Sequence, residues 1–223
     1  MHSLRPWPLI LLLSCSIEHT PESAQPPTQA HPERFTELQP GLFLSDQGAW
    51  SAQLSDQSMQ LEGIGEVELR FRSWGRLGAE FPLHNTPPSL AHRPDGTPSV
   101  ERSFANISEW WTAGKDKVEQ GWTVATAPAG SGPLILTVEV DAELLRVAPD
   151  HAILRDSFGG IWRYDDLCAW GATGTPLKIV LEEVQAGLQL VIDDAGARYP
   201  LTIDPILAPD ETILFEDLSL IHI

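Results

Sequence analysis

The chain of 223 residues has few cysteines and few basic residues. It contains 2 cysteines, and its 14 lysines and arginines face 31 aspartates and glutamates, for a formal net charge of −17. A chain this acidic lacks the basic surface that binds phosphate backbones, so we expect no nucleic-acid partner. Two cysteines, Cys15 and Cys168, are too few for a disulfide framework, and we expect Cys168 to be a buried, unreactive thiol.

Long apolar runs are also absent. The run Leu9–Leu13 is much shorter than the roughly 20 residues of a membrane-spanning helix, so it predicts the hydrophobic region of an export signal. The run ends at Ser14-Cys15, which is similar to a bacterial lipobox, and residues 1–15 are therefore predicted to be a lipoprotein-type signal peptide with lipidation at Cys15. An ordinary signal peptide with a chance cysteine is the alternative. Either way the protein is expected to be exported, as a lipoprotein of the cell envelope (outer membrane) or into the extracellular space. The lipid anchor would be its one contact with a membrane.

The motifs of common enzyme classes are missing. The sequence has no G-x-S-x-G elbow, no P-loop, no G-x-G-x-x-G after a strand and no H-E-x-x-H pair. The adjacent carboxylates Asp165-Asp166 and Asp193-Asp194 are typical of turns, and His84 and His92 lie in a proline-rich loop without further metal-type residues beside them. We therefore predict no catalytic residue, no cofactor, no metal and no enzymatic activity.

The pattern that is present predicts β structure. Residues 16–34 hold several prolines and few aliphatic residues, which is typical of a disordered tether, and residues 35–207 form a β module. Clean alternation at Val67, Leu69 and Phe71 with frequent turn signals predicts an all-β, antiparallel, sandwich-like fold. It would have one or two layers joined by a proline-rich loop, with a sub-boundary near 84–100 left open. The segment 107–118 is the one place where the pattern leaves room for a short helix or a long excursion.

The end of the module is predicted to be a hairpin. One strand would carry apolar residues on one face, the turn would fall at Asp193–Gly196, and a return strand would alternate through Tyr199, Leu201 and Ile203. Pro205 is expected to stop that strand.

A pair of adjacent tryptophans is the best candidate for a surface site. Trp110 and Trp111 would point to opposite sides of a strand, so one of them is expected to face outward. An exposed indole beside carboxylates suits stacking on a sugar. The alternative is that both tryptophans serve packing between the layers.

Three segments resemble a known family. They are "EWWTAGKDKVEQGWTVATAPAGSGPLILTVEV" (109–140), "GGIWRYDDLCAWGATGTPLKIVLE" (159–182) and "LQLVIDDAGARYPLTIDPIL" (188–207). Together they resemble an N-terminal β module of large exported bacterial proteins, common in myxobacteria, that carry FG-GAP (integrin α-like) β-propeller repeats. The resemblance implies a non-catalytic module followed by a propeller that would hold any calcium and ligand sites.

The resemblance also bears on the last residues. Residues 208–223 depart from the family pattern and are expected to be either the start of a missing domain or a read-through tail. The leading hypothesis is a surface-anchored or secreted β module with a structural or protein-interaction role. The alternatives are a carbohydrate-binding module using Trp110 or Trp111, and a propeptide-like part of an exported hydrolase. A surface protein or a glycan is the expected kind of partner.

Overall fold

The described part of the protein consists entirely of strands, turns and loops. The structure, a computed structural model, describes residues 35–210 except 49, 64, 115 and 116. Cys15, the signal peptide and the tether thus lie outside the described residues. Within that part no helix occurs that is long and apolar enough to cross a membrane. The prediction of an all-β fold is confirmed.

The strands form two antiparallel sheets, which we call sheet A and sheet B. Sheet A has the order β1-β2-β3-β4-β5-β11-β16-β15, with β6 beside β5, and sheet B has the order β12-β13-β14-β17-β10-β9-β8-β7. The strands of sheet A are β1 (Thr36–Gln39), β2 (Leu42–Asp46), β3 (Ser51–Leu54), β4 (Met59–Glu62), β5 (Glu66–Arg76), β6 (Ala79–Pro82), β11 (Leu134–Asp141), β15 (Lys178–Val184) and β16 (Gly187–Asp193). Those of sheet B are β7 (Ser89–His92), β8 (Pro98–Ser103), β9 (Ile107–Ala113), β10 (Val118–Val124), β12 (Glu143–Ala148), β13 (His151–Arg155), β14 (Ile161–Trp170) and β17 (Leu201–Pro209).

The core lies between the two sheets. Alternate residues of the longer strands enter it. On β5 these are Val67, Leu69 and Phe71, and Phe71 packs against Trp122 of sheet B. Burial of one face of each sheet is the driving force that holds such a sandwich together. The alternation on β5 is therefore confirmed as the core-facing pattern.

The proline-rich loop does join two layers. Residues 83–88 carry the chain from β6 in sheet A to β7 in sheet B, and residues 89–92, expected to be loop, form the short strand β7. β5 precedes residues 84–100 in the sequence and β11 follows them, yet the two strands pair in sheet A. The loop thus connects two layers of one sandwich.

The segment 107–118, where the pattern leaves room for a helix or an excursion, contains neither. This segment forms β9 and the start of β10, which pair in register from Ile107↔Val124 to Ala113↔Val118. The alternation was hidden because a charged residue, Glu109, occupies an inward position and is fully buried there.

The predicted closing hairpin is also wrong. β16 pairs with β11 and β15 in sheet A, whereas β17 lies between β14 and β10 in sheet B. The chain therefore crosses from one layer to the other between Asp193 and Leu201. Alternation predicts which residues face the core, but it does not predict which sheet a strand joins.

Pro205 does not end the last strand, which continues to Pro209. Proline lacks the N–H that a central strand needs for its ladder. On β14 the register jumps from Asp165↔Ile206 to Cys168↔Asp204, so two residues of β14 lie opposite Pro205. One of them, Asp166, has φ of 50°. This bulge accommodates the proline within a central strand.

Candidate functional site

The two adjacent tryptophans lie on opposite sides of sheet B. Trp111 points into the core and is fully buried. Trp110 lies on the outer face, across the backbone of Gly121 on the neighbouring strand β10, and a β-carbon at that glycine would clash with the indole. Although it faces outward, Trp110 is only 4% exposed.

Arg93 covers Trp110. This arginine belongs to the turn between β7 and β8, where its N–H donates to the carbonyl of Thr97 at 2.9 Å. Its guanidinium carbon lies 3.7 Å from the centroid of the Trp110 ring, which is the geometry of a cation–π contact. The outer face of Trp110 is thus occupied by a side chain of the protein itself, and in this arrangement neither indole presents an open face for a sugar.

Two carboxylates hold Arg93 in place. The guanidinium donates to Glu119 Oε2 on β10 at 3.3 Å and to Asp204 Oδ2 on β17 at 3.4 Å. Thr112 and Lys117 also bind Glu119, at 3.0 and 2.8 Å. Arg93 therefore ties the turn between β7 and β8 to the middle of sheet B, and we call Arg93, Trp110, Glu119 and Asp204 the Arg93 cluster.

Asp204 is the least satisfied member of the Arg93 cluster. Its Oδ1 atom is buried and has no hydrogen-bond partner among the described residues. Burial raises the pKa of Asp204 to about 6, with Arg93 opposing the rise and Glu119 adding to it. A buried carboxylate with one unsatisfied oxygen costs stability when it is ionised, because desolvation disfavours the charge.

A fully buried polar network lies on the inner face of the same strands. Arg102 Nε donates to Glu109 Oε2 at 2.9 Å, and Gln120 Nε2 donates to Glu109 Oε1 at 2.8 Å. The hydroxyl of Tyr164 donates to Gln120 Oε1 at 3.0 Å, and burial raises the pKa of that phenol well above its usual range. The network links β8, β9, β10 and β14, so its role is to hold sheet B together.

A second buried ion pair joins the crossover between β16 and β17 to sheet A. Arg76 on β5 donates to both oxygens of Asp194, at 2.6 and 2.9 Å, and the Tyr199 hydroxyl donates to the same carboxylate. Burial alone would raise the pKa of Asp194, but the bonds from Arg76 and Tyr199 more than offset it and hold the pKa below its usual range. The turn predicted at Asp193–Gly196 is present, and Asp194 anchors it.

An acidic cleft of about 600 Å³ opens at one end of the sandwich. Its lining includes Glu66, Glu68, Asp141, Glu143 and Asp156. Among the described residues, no group of three or more histidine, cysteine, aspartate or glutamate side chains is arranged to hold a metal ion.

Asp156, at the acidic cleft, has a structural role. Its carboxylate accepts bonds from the N–H groups of Phe158 and Gly160, at 2.9 and 2.8 Å, and from Trp162 Nε1 at 3.1 Å. These bonds build the turn between β13 and β14, which is the ordinary role of an aspartate in such a turn.

Fold and site together define an antiparallel β-sandwich module whose buried arginines, Arg76 and Arg102, pair with the buried carboxylates Asp194 and Glu109. Comparison with known protein families, with curated proteins and with solved structures found no match. Sequence reasoning missed Arg93, Glu119 and Asp204 because they come from three distant segments. The one signal in the sequence was the alternation of the last strand, which places Asp204, between Ile203 and Pro205, on the outer face.

Proposed function

We propose that the protein is a non-catalytic β module, exported and anchored at the cell surface through Cys15, with a structural or protein-interaction role. The observation that supports this most is the use of its buried charges. Glu109 pairs with Arg102, and Asp194 pairs with Arg76, so that these two ion pairs fix neighbouring strands and a crossover. A buried polar network whose hydrogen bonds are satisfied rigidifies the fold, and a module that displays or positions other domains needs such rigidity.

The N-terminal sequence supports the anchoring part of the proposal. The apolar run Leu9–Leu13 precedes Cys15, and the proline-rich residues 16–34 come between that cysteine and the first strand at Thr36. A polar tether of this composition gives a folded module reach from a membrane surface.

Metabolic labelling tests the anchor. The full chain is expressed in a bacterium with two membranes, fed an alkyne-tagged fatty acid, and analysed for label and for membrane fractionation. We expect labelling of the wild type and its loss in Cys15→Ser. The matched control is Cys168→Ser, which removes the other cysteine and should keep the label. Label that persists in Cys15→Ser would refute the anchor.

The role as a module preceding a β-propeller has a separate test. We propose that propeller repeats with aspartate-rich turns follow the module, as the resemblance to FG-GAP proteins implies. Reading the coding DNA beyond residue 223 checks this. A following domain with a nucleophile or metal-binding motif would instead favour the propeptide of an exported hydrolase.

A further inference from the structure

We propose that a second cleft, between residues 171–176 and 193–198, binds a carboxylate carried beside hydroxyl groups, as in a uronic-acid residue of a surface polysaccharide. The inference adds a ligand class to the interaction role of the proposed function and is independent of lipid anchoring. The cleft has a volume of about 460 Å³, which lies within the range of small-ligand sites. We call it the Arg198 cleft.

Unpaired positive charge distinguishes the Arg198 cleft. The described lysines and arginines all form ion pairs with aspartate or glutamate except Arg146, Lys178 and Arg198. Two of these three, Lys178 and Arg198, line this one cleft, and both are exposed. In a chain with a net charge of −17, two uncommitted cations at one cleft form a local site for an anion.

The walls of the Arg198 cleft are fixed by backbone hydrogen bonds. Ala172 N–H donates to the carbonyl of Arg198 at 2.8 Å, which joins the two walls directly. Gly171 N–H donates to Thr175 at 3.1 Å, and Ala197 N–H donates to Asp194 at 3.0 Å. Ligand binding to such a preformed cleft requires little ordering of the chain, which favours affinity.

The charges at the Arg198 cleft match a single negative charge. Asp193 also lines the cleft and lies opposite Lys178 in the pairing of β15 with β16, so the three side chains carry one net positive charge. Asp194 does not add a second negative charge, because Arg76 neutralises it. A carboxylate carries one charge and a phosphate monoester more than one at neutral pH, so the cleft favours the carboxylate.

Hydroxyl groups on the ligand also have partners here. Thr173 and Thr175 both line the Arg198 cleft, are exposed, and place their Oγ1 atoms 2.9 Å apart. Threonine hydroxyls donate and accept, and the carboxylate of Asp193 accepts, so the rim can bind sugar hydroxyls while Lys178 and Arg198 bind the carboxylate.

Amide chemical-shift titration of the full chain tests the proposal. Glucuronate is added at constant ionic strength, with glucose and inorganic phosphate as comparison ligands. We expect glucuronate to shift the amides of 171–175 and 193–198 saturably. Glucose should leave them unchanged, and phosphate should bind more weakly than glucuronate. Lys178→Gln and Arg198→Gln should each raise the Kd for glucuronate about tenfold or more, since a charge-assisted hydrogen bond is lost.

Arg146→Gln is the matched control, because it removes the third unpaired cation at an exposed position on β12 that does not line the cleft. It should leave the Kd for glucuronate unchanged. The remaining amide signals of each variant report whether the fold is intact. The proposal is refuted if phosphate binds more tightly than glucuronate, or if both cleft variants bind glucuronate like the wild type. Absence of acyl labelling in the wild type would contradict only the anchoring proposal and would leave the Arg198 cleft untouched.

Discussion

Replacing Asp204 by asparagine should stabilise the protein at neutral pH. In the folded protein the pKa of Asp204 is raised from 3.8 to about 6, chiefly by burial. At a pH between these two values, Asp204 is protonated in the folded protein but ionised in the unfolded chain. Stability from this group is therefore present below pH 4 and is lost as the pH rises to about 6. Each pKa unit corresponds to 1.36 kcal/mol, so about two units amount to up to ~3 kcal/mol.

The assay is urea unfolding of the wild type and Asp204→Asn at several values between pH 4 and pH 8. The asparagine variant should be more stable by up to ~3 kcal/mol at pH 7 to 8, and the difference should shrink towards pH 4. Glu62→Gln removes one negative charge at an exposed position of β4 and controls for net charge. A variant less stable than the wild type at pH 8, or a difference that does not change with pH, would refute the reasoning.

Substitutions at three further residues test the packing around the same sheet. Glu109→Ala leaves the buried Arg102 without its carboxylate and should lower the free energy of unfolding by about 3–5 kcal/mol in urea, with Glu109→Gln less damaging. Gly121→Ala forces a methyl group against the Trp110 ring and should cost about 1–3 kcal/mol, measured by thermal unfolding; an unchanged Tm would contradict the close approach. Arg93→Ala uncovers Trp110 and should increase quenching of tryptophan fluorescence by acrylamide, whereas unchanged quenching would show that another group covers the ring.

Local patterns in the sequence predicted the strands well. Alternation on β5 identified the core-facing residues, because a sheet that buries one face alternates apolar and polar residues along each strand whichever strands are its neighbours. The passage between layers was predicted from the prolines of 84–99, since proline interrupts a ladder.

Long-range relations could not be predicted in the same way. β16 and β17 join different sheets, and the crossover between them is anchored by Arg76, which lies 118 residues before its partner Asp194. The covering of Trp110 likewise depends on Arg93 from another hairpin. Glu109 concealed the alternation of β9, because a charge is not expected at a core-facing position. It is tolerated there only because Arg102 pairs with it, and no local pattern revealed that pairing.

The position of β17 has a consequence for how the protein folds. β17 lies in the middle of sheet B, so without residues 201–209 that sheet consists of two separate pieces, β12-β13-β14 and β10-β9-β8-β7. The chain also alternates between the layers, so many native contacts join residues distant in sequence, and a high contact order slows folding. Sheet B therefore cannot be completed during synthesis until residues 201–209 have left the ribosome.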